Sequence, residues 1–301
     1  MTPSRRLTLA FAVVVLASCH ATPARPPATQ PRTVSTEPRH THENLNAVLW
    51  MQTGAEYKAA TQQAYRLARV QLDAALADPA WTAAVEQSTP SSALPAAIVV
   101  DLDETVLDNS GFQARLVADS TPYRAISYTE DAWNRWCEER KAGAIPGAVE
   151  FLKYARSRGV TPIYITNRDH AVEDATRDVL ARLGVPVETS RDTVLTRHEN
   201  GWDASDKSER RRFVAASFRI LLVIGDNFED FVAGTRTSIA DRTALAQKYA
   251  DYWGTKWIVL PNPTYGSWET AITFGETLPE DPQSRDARIL ELKNRRLDLK
   301  R

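Results

Sequence analysis

Two aspartates end an apolar run early in the chain. In Ala97-Ile-Val-Val-Asp-Leu-Asp-Glu-Thr105, three β-branched residues, Ile98 to Val100, come directly before Asp101, and Asp103 stands two residues further on. Such a run predicts a central strand of a parallel sheet that is buried on both faces. The carboxyl ends of strands in these sheets are where ligands bind. An isolated Asp-x-Asp pair can also simply cap the next turn or helix, so the first motif needs support from elsewhere in the chain.

A later stretch supplies that support with the same arrangement of residues. Ile220-Leu-Leu-Val-Ile-Gly-Asp-Asn-Phe-Glu-Asp-Phe231 is an apolar run followed by Asp226 and Asp230. Carboxylates gathered at the end of a dry sheet repel one another and are costly to ionise unless a cation lies among them. No Cys or His stands at ligand spacing nearby, and oxygen ligands favour a hard ion. The sequence therefore predicts one divalent cation, Mg²⁺, at this site.

An aspartate is a useful nucleophile toward a phosphoryl group, whose negative charge a cation can neutralise. We expect Asp101 to attack phosphorus and form an aspartyl-phosphate. We expect Asp103 to protonate the leaving oxygen and later to accept a proton from the attacking water. The predicted reaction is the metal-dependent hydrolysis of a phosphomonoester.

The remaining polar groups of the predicted site hold the metal and the phosphoryl oxygens. Thr166, at the end of another predicted strand, offers a hydroxyl and a backbone N–H, and Lys207 offers a positive charge. The residues expected at the metal are Asp101, the backbone carbonyl of Asp103, Asp226 and, through an intervening water, Asp230.

The chain of 301 residues is long enough for one α/β domain with a smaller attachment. Strands and helices alternate after residue 145, which predicts a Rossmann-like parallel sheet with helices on both faces. The predicted phosphatase domain spans 43–280, with a small, mainly helical cap from about 43–80 and 109–145. Within it, Glu43 to Ala77 is predicted to be one long helix, and the basic run Arg210–Arg212 a solvated helix face.

The N-terminal segment is predicted to be an export signal covering residues 1–18. Its apolar run, Leu7 to Ala17, falls short of the roughly twenty residues that span a bilayer. Leu16-Ala17-Ser18-Cys19 resembles the lipobox of bacterial lipoproteins, in which the cysteine is lipidated. Residues 19–42 are rich in Pro and predict an extended tether, and residues 281–301 predict a charged tail with at best an amphipathic helix.

Composition narrows the class of partner. The formal net charge is −1, which gives no indication of a nucleic-acid polymer as partner and favours a small molecule. The two cysteines, Cys19 and Cys137, are too few for a disulfide framework and have no metal-site spacing. We expect Cys137 to be a small buried apolar residue.

The order of these motifs resembles the haloacid dehalogenase (HAD) superfamily of phosphatases: Asp-x-Asp-x-Thr, a strand-end Thr, a Lys, then Gly-Asp-x-x-x-Asp. Within that superfamily, Val100–Asn109 and Ile224–Phe231 resemble the two signatures of class C bacterial acid phosphatases, the surface lipoprotein 5′-nucleotidases. The similarity extends over roughly residues 45–270. It implies the HAD fold and a phosphoric monoester hydrolase.

The resemblance also implies a substrate class. In these nucleotidases, aromatic residues at the positions of Trp133 and Tyr265 sandwich the nucleobase, and Tyr128 is a third candidate. Asn167 and Arg168, next to Thr166, are also expected to bind substrate. Base stacking tolerates every base, so the expected substrates are nucleoside 5′-monophosphates.

Other functions are compatible with the same sequence. A broad-specificity acid phosphatase or a phosphotransferase would use the same catalytic residues. A non-catalytic surface lipoprotein that binds haem or a host component would use the aromatic cap. The lipoprotein resemblance implies the bacterial cell envelope and, because His20 rather than Asp follows Cys19, the outer membrane. A homodimer is also left open.

Overall fold

The computed structural model describes residues 42–87, 92–119 and 128–297, apart from the side chains of residues 282 and 283. The predicted signal peptide, Cys19, almost all of the tether and the end of the tail lie outside these residues. Within the described ranges, no helix combines the length and apolar character that crossing a membrane requires.

The main sheet contains five parallel strands in the order β5-β4-β1-β6-β7, and β2 pairs with β3 in a separate antiparallel ladder. The strands are β1 (Ala96–Val100), β2 (Leu107–Asp108), β3 (Gly143–Ala144), β4 (Thr161–Asp169), β5 (Val194–Arg197), β6 (Arg219–Gly225) and β7 (Trp257–Val259). This is the predicted α/β fold class. The chain passes from β5 on one side of β1 to β6 on the other, which creates the switch point where such sheets bind ligands.

Apolar residues bury both faces of the sheet. In β1, Ile98 and Val100 belong to one hydrophobic cluster, and Ala97 and Val99 belong to the other. All seven residues of β6 are buried. A continuous apolar run can therefore be a strand, since helices cover it from both sides. The acidic residues Asp101 and Asp226 come directly after the carboxyl ends of β1 and β6.

Helices lie before, between and after the strands. They are α1 (Leu45–Thr53), α2 (Ala55–Ala77), α3 (Ser110–Asp119), α4 (Glu130–Glu138), α5 (Ala148–Ser157), α6 (Glu173–Leu183), α7 (Ser208–Ala215), α8 (Ile239–Lys248), α9 (Ser267–Ile272) and α10 (Pro282–Arg296).

The single helix predicted over Glu43 to Ala77 is wrong, because the chain breaks it at Gly54. Gly54 has extended backbone angles (φ −68°, ψ 125°), and a Cβ there would lie 2.6 Å from the carbonyl oxygen of Trp50. Apolar periodicity continues across this break, so the pattern alone did not reveal it. The second half, α2, packs against α5, β6 and β7. That part of the predicted cap is therefore in the layer that covers the sheet.

The second predicted cap segment, about 109–145, contains α3, α4 and β3, and β3 pairs with β2. Thr129 caps α4 by accepting a hydrogen bond from the backbone N–H of Ala132, and Phe112 packs edge-on against Trp133 with ring centroids 5.0 Å apart. Aromatic packing thus joins the two cap helices to each other.

Candidate active site

Three aspartates from the ends of β1 and β6 converge. Asp101 directly follows β1, Asp226 follows β6, and Asp230 lies in the short 3₁₀ turn Phe228–Asp230. One carboxylate oxygen from each lies within 4.8 Å of the other two. Asp101 and Asp230 are buried, with 6% and 4% of their surface exposed. Adjacent parallel strands therefore bring these three groups together at the switch point.

Lys207 supplies a positive charge between two of these carboxylates. Its Nζ lies 2.7 Å from Oδ1 of Asp230 and also forms an ion pair with Asp101. Lys207 is 3% exposed and immediately precedes α7. Burial by itself would lower the pKa of Lys207, but the carboxylates of Asp101 and Asp230 outweigh it and raise that pKa.

One ammonium group does not compensate three carboxylates. Burial raises the pKa of Asp101 to about 7; Lys207 opposes this rise, and Asp230 and Asp103 add to it. Burial and the charges of Asp101 and Asp230 raise the pKa of Asp226 well above its ordinary value. Raised pKa values of this kind arise where buried carboxylates have too little positive charge beside them. The all-oxygen donor set and its excess negative charge fit a hard divalent cation.

Asp103 is held by donors from three directions. Arg168 donates from Nε and Nη2 to Oδ1 of Asp103 at 3.0 and 2.8 Å, and Nδ2 of Asn109 donates to the same oxygen at 2.9 Å. The hydroxyl of Thr166 donates to Oδ2 at 3.3 Å. Oδ1 is therefore saturated, whereas Oδ2 has only longer contacts.

Two residues that were predicted to contact substrate, Thr166 and Arg168, are instead buried and hydrogen-bonded to Asp103. Arg168 is 1% exposed and Thr166 is fully buried, and neither side chain is part of the cleft lining. The Arg168 guanidinium also lies 5.6 Å from the ring centroid of Trp133. In this structure Arg168 positions Asp103, which differs from its predicted place at the substrate.

The prediction of a solvated arginine face on α7 is wrong for two of its three residues. Arg210 and Arg211 are both fully buried. Arg210 donates to the carbonyl oxygen of Thr166 at 2.5 Å and to Oδ1 of Asn167 at 2.6 Å. Arg211 donates to the carbonyl oxygen of Asp230 at 2.7 Å and forms an ion pair with Glu86. Arg210 therefore supports the C-terminal part of β4, and Arg211 supports the segment that follows β6.

Asn262 is a further residue of the site, and no role was predicted for it from the sequence. Its Nδ2 donates to Oδ2 of Asp226 at 2.8 Å, and the hydroxyl of Thr105 donates to Oδ1 at 3.3 Å. Both bonds orient the Asp226 carboxylate. The Pro261-Asn-Pro263 sequence after β7 was a signal, since two prolines hold the backbone on either side of Asn262.

The acidic cluster opens into a cleft of about 860 Å³. Asp101, Asp103, Lys207, Asp226 and Asp230 line it, together with the predicted substrate residues Tyr128, Trp133, Asn167 and Tyr265. The hydroxyl of Tyr265 donates to Glu104, a fully buried residue with a positive φ of 57°. Asn167 donates to the carbonyl oxygen of Ser205 at 2.9 Å. The cleft thus places aromatic side chains beside the carboxylates.

A Rossmann-like parallel sheet with aspartates after the central strands and a lysine between them defines an α/β enzyme of the HAD type. Comparison with known proteins gives the family. Residues 7–268 match the model of the HAD superfamily, subfamily IIIB (acid phosphatase). The chain belongs to this family of class C acid phosphatases, which are phosphoric monoester hydrolases.

Solved structures agree with this assignment. The class C acid phosphatase from Bacillus anthracis is 34% identical, with a TM-score of 0.69; the match covers 84% of this chain and 96% of that one. A structure of the class C acid phosphatase from Bacillus anthracis with tungstate bound is 35% identical, with a TM-score of 0.68 and the same coverage.

Proposed function

We propose that this acid phosphatase hydrolyses nucleoside 5′-monophosphates through an aspartyl-phosphate on Asp101, with Mg²⁺ as cofactor. The catalytic part rests on the convergence of Asp101, Asp226 and Asp230, which each place a carboxylate oxygen within 4.8 Å of the other two. Lys207 alone does not balance the negative charge of these three carboxylates. The tungstate bound to the Bacillus anthracis enzyme supports a phosphoryl site, because tungstate is a tetrahedral oxyanion.

The first chemical step forms the covalent intermediate. A carboxylate oxygen of Asp101 attacks phosphorus, and the bond from phosphorus to the leaving oxygen breaks. Asp103, protonated on Oδ2, gives its proton to that leaving oxygen. Oδ2 suits this role because Arg168 and Asn109 already saturate Oδ1.

The second step releases phosphate. Water attacks phosphorus, Oδ2 of Asp103 takes the proton from that water, and the bond from phosphorus to Asp101 breaks. Lys207 stabilises negative charge beside Asp101 throughout. Arg210 hydrogen-bonds the Thr166 carbonyl and the Asn167 side chain, so it holds the C-terminal part of β4 in place beside the site.

Asp101, the backbone carbonyl of Asp103 and Asp226 would hold Mg²⁺, with Asp230 acting through an intervening water. The cation would neutralise the carboxylates and stabilise charge on the phosphoryl oxygens. Removal of divalent cations with EDTA should abolish phosphomonoester hydrolysis, and added Mg²⁺ should restore it. Full activity in excess EDTA would refute metal dependence.

The nucleotide part of the proposal depends on the aromatic residues of the cleft. Tyr128, Trp133 and Tyr265 line it, and ring centroids of Tyr128 and Trp133 are 6.3 Å apart. Stacking on an aromatic side chain contributes about 1–3 kcal/mol per base and accepts every base. The cleft therefore favours substrates whose leaving group carries a flat ring system.

Steady-state kinetics test this substrate class. We expect higher kcat/KM for adenosine, guanosine, cytidine and uridine 5′-monophosphates than for glucose 6-phosphate. Trp133→Ala and Tyr265→Ala should reduce the nucleotide values selectively, whereas Phe213→Ala, an exposed aromatic on α7, should not. Equal efficiency on nucleotides and sugar phosphate, unchanged by both substitutions, would indicate a broad-specificity acid phosphatase. Phosphoryl transfer to an added alcohol would indicate a phosphotransferase.

Anchoring is a separate proposal that the sequence alone supports. We propose that Cys19 is lipidated and holds the protein in the bacterial outer membrane. Cys19→Ser should give a protein recovered in the soluble fraction or with its signal peptide uncleaved. Recovery of that variant still firmly in the membrane fraction would contradict lipidation.

A further inference from the structure

Helix α10 follows the part of the chain that matches the family model. It begins at Pro282 and ends at Arg296, whereas the family match ends at residue 268. The sequence predicted a charged tail here with at best an amphipathic helix. The family model does not describe the side of the cleft that belongs to this helix.

Contacts at several points fasten α10 beside the cleft. Nζ of Lys293 donates to Glu269 in α9 at 2.5 Å and to Glu43, before α1, at 2.9 Å. Arg288 donates to Glu276 at 2.9 Å, and Leu292 is 3% exposed. Exposed ion pairs alone would contribute little, but the buried leucine and the two-sided lysine contact hold the helix in one place.

One face of α10 forms part of the cleft wall. Its residues follow the three- and four-residue spacing of a single helix face, and they are Arg285, Asp286, Ile289, Leu290 and Lys293. Leu278, in the segment before the helix, lines the same cleft. Leu290 is 52% exposed. A large apolar side chain exposed inside a concave site is a contact for an apolar ligand group.

The charged residues of this face are mixed in sign. Arg285 is basic, Asp286 is acidic, and Lys293 is already paired with two glutamates. The apolar residues Leu278, Ile289 and Leu290 are therefore the ones that could select among leaving groups. The cleft volume of about 860 Å³ lies in the upper part of the range of roughly 300–1,000 Å³ for ligand pockets, so it holds far more than a phosphoryl group.

We propose that Leu278, Ile289 and Leu290 form a leaving-group subsite that favours phosphomonoesters with a large apolar leaving group, such as an aryl or long alkyl phosphate. The subsite contacts substrate far from phosphorus, so its contacts are the same before and during the chemical step. Binding of this kind lowers KM without changing kcat. The inference rests on the phosphomonoesterase activity of the family and is independent of nucleotide preference and of the covalent intermediate.

The test compares two substrates in matched leucine variants. Leu290→Asn removes an apolar wall residue, and Leu297→Asn changes another exposed leucine (62% exposed) that follows α10 and is not part of the cleft lining. With 1-naphthyl phosphate, Leu290→Asn should raise KM about tenfold and leave kcat unchanged, as loss of one buried leucine contact predicts. With glycerol 2-phosphate, whose leaving group is small and polar, both constants should stay as in the wild type. Leu297→Asn should behave as wild type with both substrates.

A second variant controls for a local disturbance of α10. Leu278 precedes α10, and Leu278→Asn should give the same selective rise in KM for 1-naphthyl phosphate. Thermal unfolding is measured for every variant. The subsite is wrong if Leu290→Asn and Leu278→Asn leave KM for 1-naphthyl phosphate unchanged, or if they raise KM for both substrates alike. A failed nucleotide preference would appear separately, in the comparison of nucleotides with glucose 6-phosphate.

Discussion

The ammonium group of Lys207 lies 2.7 Å from Oδ1 of Asp230 and also contacts the carboxylate of Asp101. One positively charged side chain therefore pairs with a carboxylate that follows β1 and with one that follows β6. All three side chains are buried. Removing one member of a buried ionic group leaves the others uncompensated, which costs more than the group contributes when complete. Lys207 therefore affects both the chemistry and the integrity of the site.

Lys207→Met should lower kcat by about a hundredfold, because loss of a preorganised electrostatic group costs typically about 3 kcal/mol of transition-state stabilisation. Lys58→Met, which removes an exposed lysine on α2, is the matched control and should keep wild-type kinetics. The measurement is kcat with a saturating phosphomonoester and Mg²⁺. Wild-type kcat in Lys207→Met would show that the lysine is only a structural partner of the aspartates.

Arg210→Met should lower kcat and the melting temperature, because the Thr166 carbonyl and the Asn167 side chain lose their buried donor. Leaving a buried acceptor unsatisfied costs about 1–3 kcal/mol. Arg212→Met is the control, since Arg212 stands on the same helix and is exposed. If both variants have the same kcat and melting temperature, Arg210 does not support the C-terminal part of β4.

Arg210 and Arg212 are on the same helix, but only Arg212 is exposed, and the sequence did not predict this difference. A run of arginines is usually solvated, and nothing in the local pattern indicates which arginine hydrogen-bonds a carbonyl of β4. The carboxylate cluster could be predicted, because residues that follow central parallel strands must meet at one sheet edge. Arg168 and Asn262 required the structure, since their partners are distant in sequence: Arg168 reaches Asp103 and Asn262 reaches Asp226.

The fold could be predicted to the level of the sheet for the same physical reason. The apolar runs of β1 and β6 are long enough to identify buried strands, whereas β4 runs from Thr161 to Asp169, beyond Thr166, which was predicted to stand at the end of the strand. The polar last residue of β4, Asp169, pairs with Arg197 of β5, and the apolar pattern does not record this pairing. The break at Gly54 was hidden because both helices keep an apolar face.

Cys137 should be inert to thiol reagents in the folded protein. It is 2% exposed, and burial raises the pKa of its thiol to about 12, so the reactive thiolate is absent at neutral and mildly alkaline pH. In a Cys19→Ser variant, Ellman's reagent at pH 8 should detect no thiol until guanidinium is added, and then one. Rapid labelling of the folded variant would contradict the buried position of this cysteine.

Raising the pH to 9 sharpens this test. An unfolded cysteine, with a pKa near 8.5, reacts faster as its thiolate fraction grows between pH 7 and pH 9. Folded Cys137 should show no such rise, because its pKa of about 12 lies far above this range. A labelling rate that follows an ordinary thiol titration would place Cys137 in contact with water.

The most direct measurement of the central claim is kcat for Asp101→Asn beside Asp108→Asn. An amide cannot attack phosphorus, so Asp101→Asn should show no turnover above background. Asp108 caps the start of α3, where its Oδ1 accepts the backbone N–H of Ser110 at 2.9 Å, and asparagine can make the same bond. Asp108→Asn should therefore retain most of the activity. Normal turnover by Asp101→Asn, in protein that melts as the wild type does, would contradict covalent catalysis through Asp101.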